Sequence, residues 1–245
     1  SADTRNSTYK AAQIFNYYLS LKFDPRFTHD VLNCRALSPS VAIRIPFGNC
    51  SSFSQSALSA FRSVGLPVVR DVSPVWAGGN GSHVWNSMLT NTGRLLPFVG
   101  ITDKLEEQQM MNNRFTKVWR QTYAVNQELV RINREEKFVP AFFRNVFQKD
   151  VTDEYTKCRD MAFDLKGDDG YVYLAASDAA EWVPVDVTYM KAGHAEFRNV
   201  APGAVYMVVR YGDDGTMQAL TAPFVANRAG TPEYLLPGNV LHTVI

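Results

Sequence analysis

Apolar residues recur at helical spacing near the start of the chain and in short strand-like runs through most of its second half. Between residues 7 and 24, Ala11, Ile14, Phe15, Tyr18 and Leu19 fall on one helical stripe, with Ser7 placed to cap it. A shorter helical pattern runs from Thr28 to Leu37. Residues 50–64 carry the central one. Phe53, Ala57, Phe61 and Val64 form a stripe with Ala60 beside it, while the serines and Gln55 face elsewhere. Asn49 is a suitable N-cap, Gly65 a suitable stop, and Pro67 follows.

The segment from Leu66 to Pro74 is β-rich, and a glycine-containing loop, Trp76 to Ser82, follows it. Ser82–Leu89 and Arg94–Ile101 read as two strands joined by Asn91-Thr92-Gly93, a hairpin signal. If Thr90 pairs with Arg94, His83 falls opposite Ile101, and Asp103 lies one diagonal step from His83 on the same face. A one-residue slip reverses that face. Residues 104–149 are charged and show no clean period; Ala124–Ile132 fits a strand or a helix. From Asp150 the texture changes. Tyr155–Leu165, Tyr171–Ala175, Trp182–Tyr189, Ala195–Val200, Val205–Tyr211 and Ala219–Ala226 are short β-type runs separated by turn signals. The pattern predicts an α+β chain: residues 1–149 as a helix-and-sheet domain, and residues 150–245 as an all-β sandwich.

Composition narrows the function. The chain has 245 residues, enough to bury substantial cores without a disulfide scaffold. A net charge of +1 gives no electrostatic case for nucleic acid or an anionic membrane. No apolar run approaches a membrane span, and the polar start at Ser1 has no signal-peptide core. That start is consistent with a processed end and leaves a further domain before residue 1 open. Cys34, Cys50 and Cys158 include at least one free thiol. They have no zinc-knuckle spacing, the four histidines are scattered, and no metal or other cofactor is expected.

The chemistry concentrates between Gly48 and Gly100. Cys50 opens the central helix, where unpaired N–H groups favour a negative sulfur. Then come Phe61-Arg62 and Gly65-Leu66-Pro67-Val68, and His83-Val84-Trp85-Asn86 in a strand. This set resembles the transglutaminase-like core of the papain-type cysteine superfamily, in which a helix bearing the cysteine packs on an antiparallel sheet. The later β-runs are similar, more loosely, to the β-sandwich appended to such proteins in Bacteroidetes-type bacteria. The resemblance implies acyl transfer on a peptide or other amide, with Cys50 as nucleophile, His83 as base and an acidic group orienting the imidazole. It also implies a location outside the cytoplasm, periplasmic or at the cell surface.

The sequence departs from that family at the acidic position. Where an aspartate is expected stands Pro97-Phe98-Val99-Gly100, so Asp103 is the candidate. Asn86 is a rival by type, but three residues along a regular strand puts it on the other face from His83. Trp76 and Trp85 are candidate substrate contacts, and Asn49 a candidate oxyanion donor besides its capping role. Two functions compete: a thiol hydrolase, and a catalytically inactive binding or scaffold module at the cell surface. A thiol redox role is disfavoured because no C-x-x-C occurs.

Overall fold

The computed structural model describes residues 7–22, 26–27, 38–42, 44, 47–77, 81–93, 95–101, 114–179 and 181–235. It is a mixed α+β chain with several antiparallel sheets, and it divides into two units. One comprises Ser1–Val72 and His83–Asn113; the other comprises Ser73–Ser82 and Arg114–Ile245.

The first unit contains α1 (Thr8–Lys22), β1 (Arg26–Phe27), α2 (Pro39–Ala42), β2 (Phe47–Gly48) and α3 (Cys50–Ser63). The strand β3 (Val68–Ser73) follows, ending across the boundary of the unit. After β4 (Trp76–Ala77), which belongs to the second unit, come β5 (His83–Leu89) and β6 (Leu95–Phe98). Ser7 caps α1 by accepting from Lys10 N. Phe15 and Leu19 pack on the core of α3 while Ala12 and Asn16 are buried; Ile14 and Tyr18, expected inward, are exposed. Phe53, Ala57 and Phe61 of α3 meet Val68, Met88, Leu96 and Phe98 in one apolar cluster. The Phe61 ring sits between Phe15 and Phe98, with centroids 5.1 and 5.3 Å away.

Three details of α3 differ from the pattern-based reading or sharpen it. Val64 is exposed, because it is already the C-cap. Gly65 takes φ +79, and Leu66 N and Gly65 N return to Phe61 O and Arg62 O, which is the Schellman ending that glycine permits. Ser52, Ser54 and Ser56 are buried rather than solvent-facing. Each hydroxyl has an acceptor that makes burial tolerable: Asn49 Oδ1, Trp85 O and Ser52 O respectively.

The β5–β6 hairpin adopts the expected register, with Asn86 opposite Phe98 and Leu89 opposite Leu95. It stops at Phe98, however. Ile101, a β-branched residue, holds φ +76 and donates its N–H to Asn16 Oδ1 at 3.0 Å, so the chain turns into the α1 packing instead of continuing opposite His83. The expected helix over 28–37 and the charged run 102–113, Asp103 among it, lie outside the described residues.

The second unit contains β4, β7 (Arg114–Phe115), β8 (Trp119–Gln121), α4 (Gln127–Glu135), a 3-10 turn at Ala141–Arg144, β9 (Gln148–Asp150) and a 3-10 turn at Thr152–Glu154. Eight strands follow: β10 (Arg159–Asp164), β11 (Gly170–Asp178), β12 (Glu181–Met190), β13 (His194–Val200), β14 (Val205–Tyr211), β15 (Met217–Ala219), β16 (Phe224–Ala226) and β17 (Pro232–Tyr234). β10 pairs with β13, and β12, β11, β14, β16 and β17 pair in that order. Met161, Phe163, Ala195 and Phe197 of the smaller sheet share one core with Val172, Leu174, Val185, Val208 and Phe224 of the larger.

Residues 114–149, assigned to the first domain on sequence grounds, fall in this second unit. Strand β11 is the reason. Tyr171 to Ala176 are all buried, so both faces of β11 are covered. Tyr173 packs on Phe143, and the Tyr171 hydroxyl donates to Glu135 Oε2 at 2.7 Å, so α4 and the turn after it close the outer face. Ala124–Ile132, ambiguous by period, is resolved as α4 with Asn126 as its N-cap.

Candidate active site

Asn49 has extended backbone angles and accepts from Ser52 N at 3.1 Å, so α3 begins at Cys50 with a built cap. Its Oδ1 is committed to that cap; an oxyanion role would fall to its amide nitrogen. Cys50 is free and partly exposed, in the first turn of the helix. Cys158, also free, lies in the second unit. There burial pushes its thiol up to about 12, against the pull of Lys117.

A residue the sequence reading did not single out stands beside Cys50. Arg70 of β3 donates from Nη2 to Ser51 Oγ at 2.5 Å. Burial lowers its pKa, and the charge of Cys50 raises it again. Its Nε is buried without a hydrogen-bond partner. The sequence signal was available: Val68 belongs to the core that α3 covers, and Arg70 is two residues further on the same strand.

His83 opens β5 in the same unit as Cys50, partly exposed, and burial lowers its pKa. A neutral imidazole at neutral pH is the form a general base needs. Its ring stacks on Trp85 at 5.8 Å and 23°. Trp85, a candidate substrate contact on sequence grounds, is wholly buried behind the imidazole. Helix and strand are tied together through Asn86, whose Nδ2 donates to Ser54 O at 3.0 Å and Val69 O at 3.4 Å, and through Ser54 Oγ to Trp85 O. Asn86 and Met88 thus face α3, and strand alternation turns His83 and Trp85 to the opposite face. Trp76 belongs to the second unit, where it packs edge-on against Phe115.

A second polar centre, with no forewarning in the sequence, lies in the second unit. Lys117 is fully buried and bonds Asp150 Oδ2 at 2.5 Å, Asp186 Oδ2 at 2.8 Å and Arg198 O at 2.6 Å. Asp150 Oδ1 accepts from Thr152, and Asp186 Oδ1 from Val187 N, so all four carboxylate oxygens are engaged. Burial pushes the Asp186 carboxyl up to about 6, against the pull of Lys117. A register shift at Leu174/Ala175 places two residues of β12, Val185 and Asp186, where regular pairing has one. Such a bulge re-aims side chains, and here it accompanies Asp186 reaching Lys117. An open cavity of about 550 Å³, bordered by Trp119, Asn126, Asp150, Asp186 and Tyr189, adjoins this cluster.

Among the described residues no group of three or more His, Cys, Asp or Glu could hold a metal ion, and no helix is long and apolar enough to cross a membrane. Comparison with family models, with curated proteins and with solved structures finds no match to this chain.

Proposed function

We propose that this chain is a transglutaminase-like thiol hydrolase, with Cys50 as nucleophile and His83 as general base, acting on a peptide or other amide. The observation that carries the reading is the state of Cys50. It is a free, partly exposed thiol in the first turn of a capped helix, beside an arginine. Those are the surroundings in which a thiol becomes a nucleophile. In the proposed reaction His83 takes the Cys50 thiol proton as the sulfur attacks the carbonyl carbon, and passes it to the departing amine as the C–N bond breaks. Water then attacks the thioester carbonyl, and its proton passes through His83 to the leaving sulfur as the C–S bond breaks. The proposed third member, Asp103, would orient the ring. The resemblance on which this reading draws also suggests a place outside the cytoplasm.

A second reading has its own support. β6 carries no carboxylate, and His83 alternates to the face away from α3. Both features suit a non-catalytic module that keeps the core and binds peptide or glycan.

Hydrolysis of peptide amides and activated esters separates the two. The hydrolase reading expects turnover that disappears in Cys50→Ala and falls about 100-fold or more in His83→Ala. It also expects iodoacetamide to label Cys50 faster than Cys34 or Cys158. Turnover that survives Cys50→Ala, or no turnover together with equal labelling of the three thiols, rejects it.

A further inference from the structure

We propose that Lys117 and Asp150 join in an intramolecular amide bond, from the lysine side-chain nitrogen to the aspartate side-chain carbon, with Asp186 carrying a proton between them and one water released. The site lies wholly within the second unit and is independent of the reading of Cys50.

The backbone around Lys117 is tied to the groups that hold Asp150. Thr116 donates its hydroxyl to Val75 O, and its carbonyl accepts from the Tyr206 hydroxyl. Val118 N donates to Thr152 Oγ1, and Val118 O accepts from Val151 N. Thr152 in turn donates from N and from Oγ1 to Asp150 Oδ1. Lys117 Nζ is thereby set against Asp150 Oδ2 at 2.5 Å. Reactants held in such contact need no encounter, and that advantage is among the largest available to a reaction between two side chains. The Lys117 side chain is 1% exposed and that of Asp186 10%. Condensation releases water, so an interior that keeps water out favours it.

The atoms balance inside the cluster. Nζ has three N–H acceptors: Asp150 Oδ2 at 2.5 Å, Asp186 Oδ2 at 2.8 Å and Arg198 O at 2.6 Å. One proton passes to Asp186, which frees the lone pair on Nζ. That pair attacks Cγ of Asp150, and the carbonyl electrons move onto Oδ1, where both Thr152 donors meet the charge. A second proton passes from Nζ to Oδ2, and Asp186 returns the first to the same oxygen. The electrons fall back from Oδ1, the bond from Cγ to Oδ2 breaks, and water leaves. The third proton stays as the amide N–H, with Arg198 O already its acceptor. Asp186 ends as it began. Burial pushes its carboxyl up to about 6, which suits a group that takes and returns a proton near neutrality. Burial lowers the Lys117 ammonium, but the two carboxylates raise it past its ordinary value, so the bond forms slowly. The cavity bordered by Asp150 and Asp186 gives the water an exit. The ion cluster is the unlinked form of the site, and the energetics of its charges belong to that form.

The test is the mass of the denatured full chain after it has aged, folded, at neutral pH, followed by tryptic mapping, for the parent, Lys117→Arg and Asp186→Asn. The parent should weigh about 18 Da less than its sequence, the mass of one water. It should yield a branched peptide in which residues 115–120 are joined to residues 150–157. Lys117→Arg, which keeps the charge without a primary amine, should keep its full mass. Asp186→Asn, which keeps the shape without the proton carrier, should link about tenfold more slowly or not at all. Circular dichroism checks the fold of both variants. Full mass in the aged parent overturns the proposal. So does a lost water without the branched peptide, which would mark aspartate cyclisation at Asp169-Gly170 or Asp214-Gly215. A branched peptide joined through Asp186 overturns the choice of acceptor, and linkage at the parent's rate in Asp186→Asn overturns the proton route. If neither variant folds, the mass and map of the parent decide alone.

Discussion

Gly100 has no room for a side chain. A Cβ built there would lie 2.2 Å from Ala57 Cβ and 2.5 Å from Asn86 Oδ1. Neither neighbour can yield cheaply. Ala57 Cβ is fixed to the α3 backbone, and Asn86 is held through Nδ2 by Ser54 O and Val69 O. Its Oδ1 is already buried without a partner. Gly100→Ala should therefore cost about 1–3 kcal/mol by overpacking, read as a lower denaturant midpoint with unchanged slope. Ile101, next along, adds strain of its own: a buried, β-branched residue at positive φ persists only because its N–H is taken by Asn16 and its side chain by the core.

At the scale of elements, Lys117 decides how the β8–β9 pair is tied down within the second unit. It bonds β9 through Asp150, β12 through Asp186 and β13 through Arg198 O. Removing its charge alone strands two carboxylates in a buried site. Lys117→Ala should cost about 3–5 kcal/mol in chemical denaturation. The triple variant Lys117→Met, Asp150→Asn, Asp186→Leu should recover most of that loss, because a buried ion cluster is often replaceable by apolar packing. If the triple variant is as unstable as Lys117→Ala, the cluster does something packing cannot supply. This cluster also shows where the sequence stops being readable. The α3 helix, its cap and the β5–β6 register were legible because each is set by neighbours a few residues away: Asn49 to Ser52, Gly65 to Phe61, Thr90 to Gly93. Lys117 and Asp186 are 69 positions apart in the numbering and meet where β12 is bulged, which no local period records. The grouping of residues 114–149 with the later strands was hidden for the same reason. The polar texture of 114–149 hides four buried apolar residues, Trp119, Leu129, Ile132 and Phe143; Phe143 packs on Tyr173 of β11 further down the chain, and Trp119 on Phe143. At the site, Cys50 and His83 were legible as residue types. The full burial of Trp85 was not, since a half-exposed and a buried aromatic look alike in a strand.

On the scale of the whole molecule, the two units should answer pH with opposite sign. In the first, His83 is held below its ordinary 6.5 by burial. A depressed folded value means the unfolded chain takes the proton first. Stability is then full above pH 6.5 and is lost as the pH falls through the folded value. In the second unit, burial raises Asp186 from 3.8 to about 6, and burial also raises Glu136. A raised carboxyl means the folded state takes the proton first, so that contribution is present below 3.8 and is lost as the pH rises through about 6. Between pH 5 and pH 7, raising the pH should strengthen α3 and β5 and weaken the strands around Asp186. Native-state hydrogen exchange at the two pH values, corrected for intrinsic amide rates, reads both units in one sample. Asp186→Asn should flatten the response of β11 and β12 while leaving α3 unchanged, and His83→Gln should do the converse. If both units shift in the same direction, or if either variant flattens the unit it does not belong to, then these two groups do not set the pH response. In that case the burial that distinguishes His83 from Asp186 has no consequence for stability.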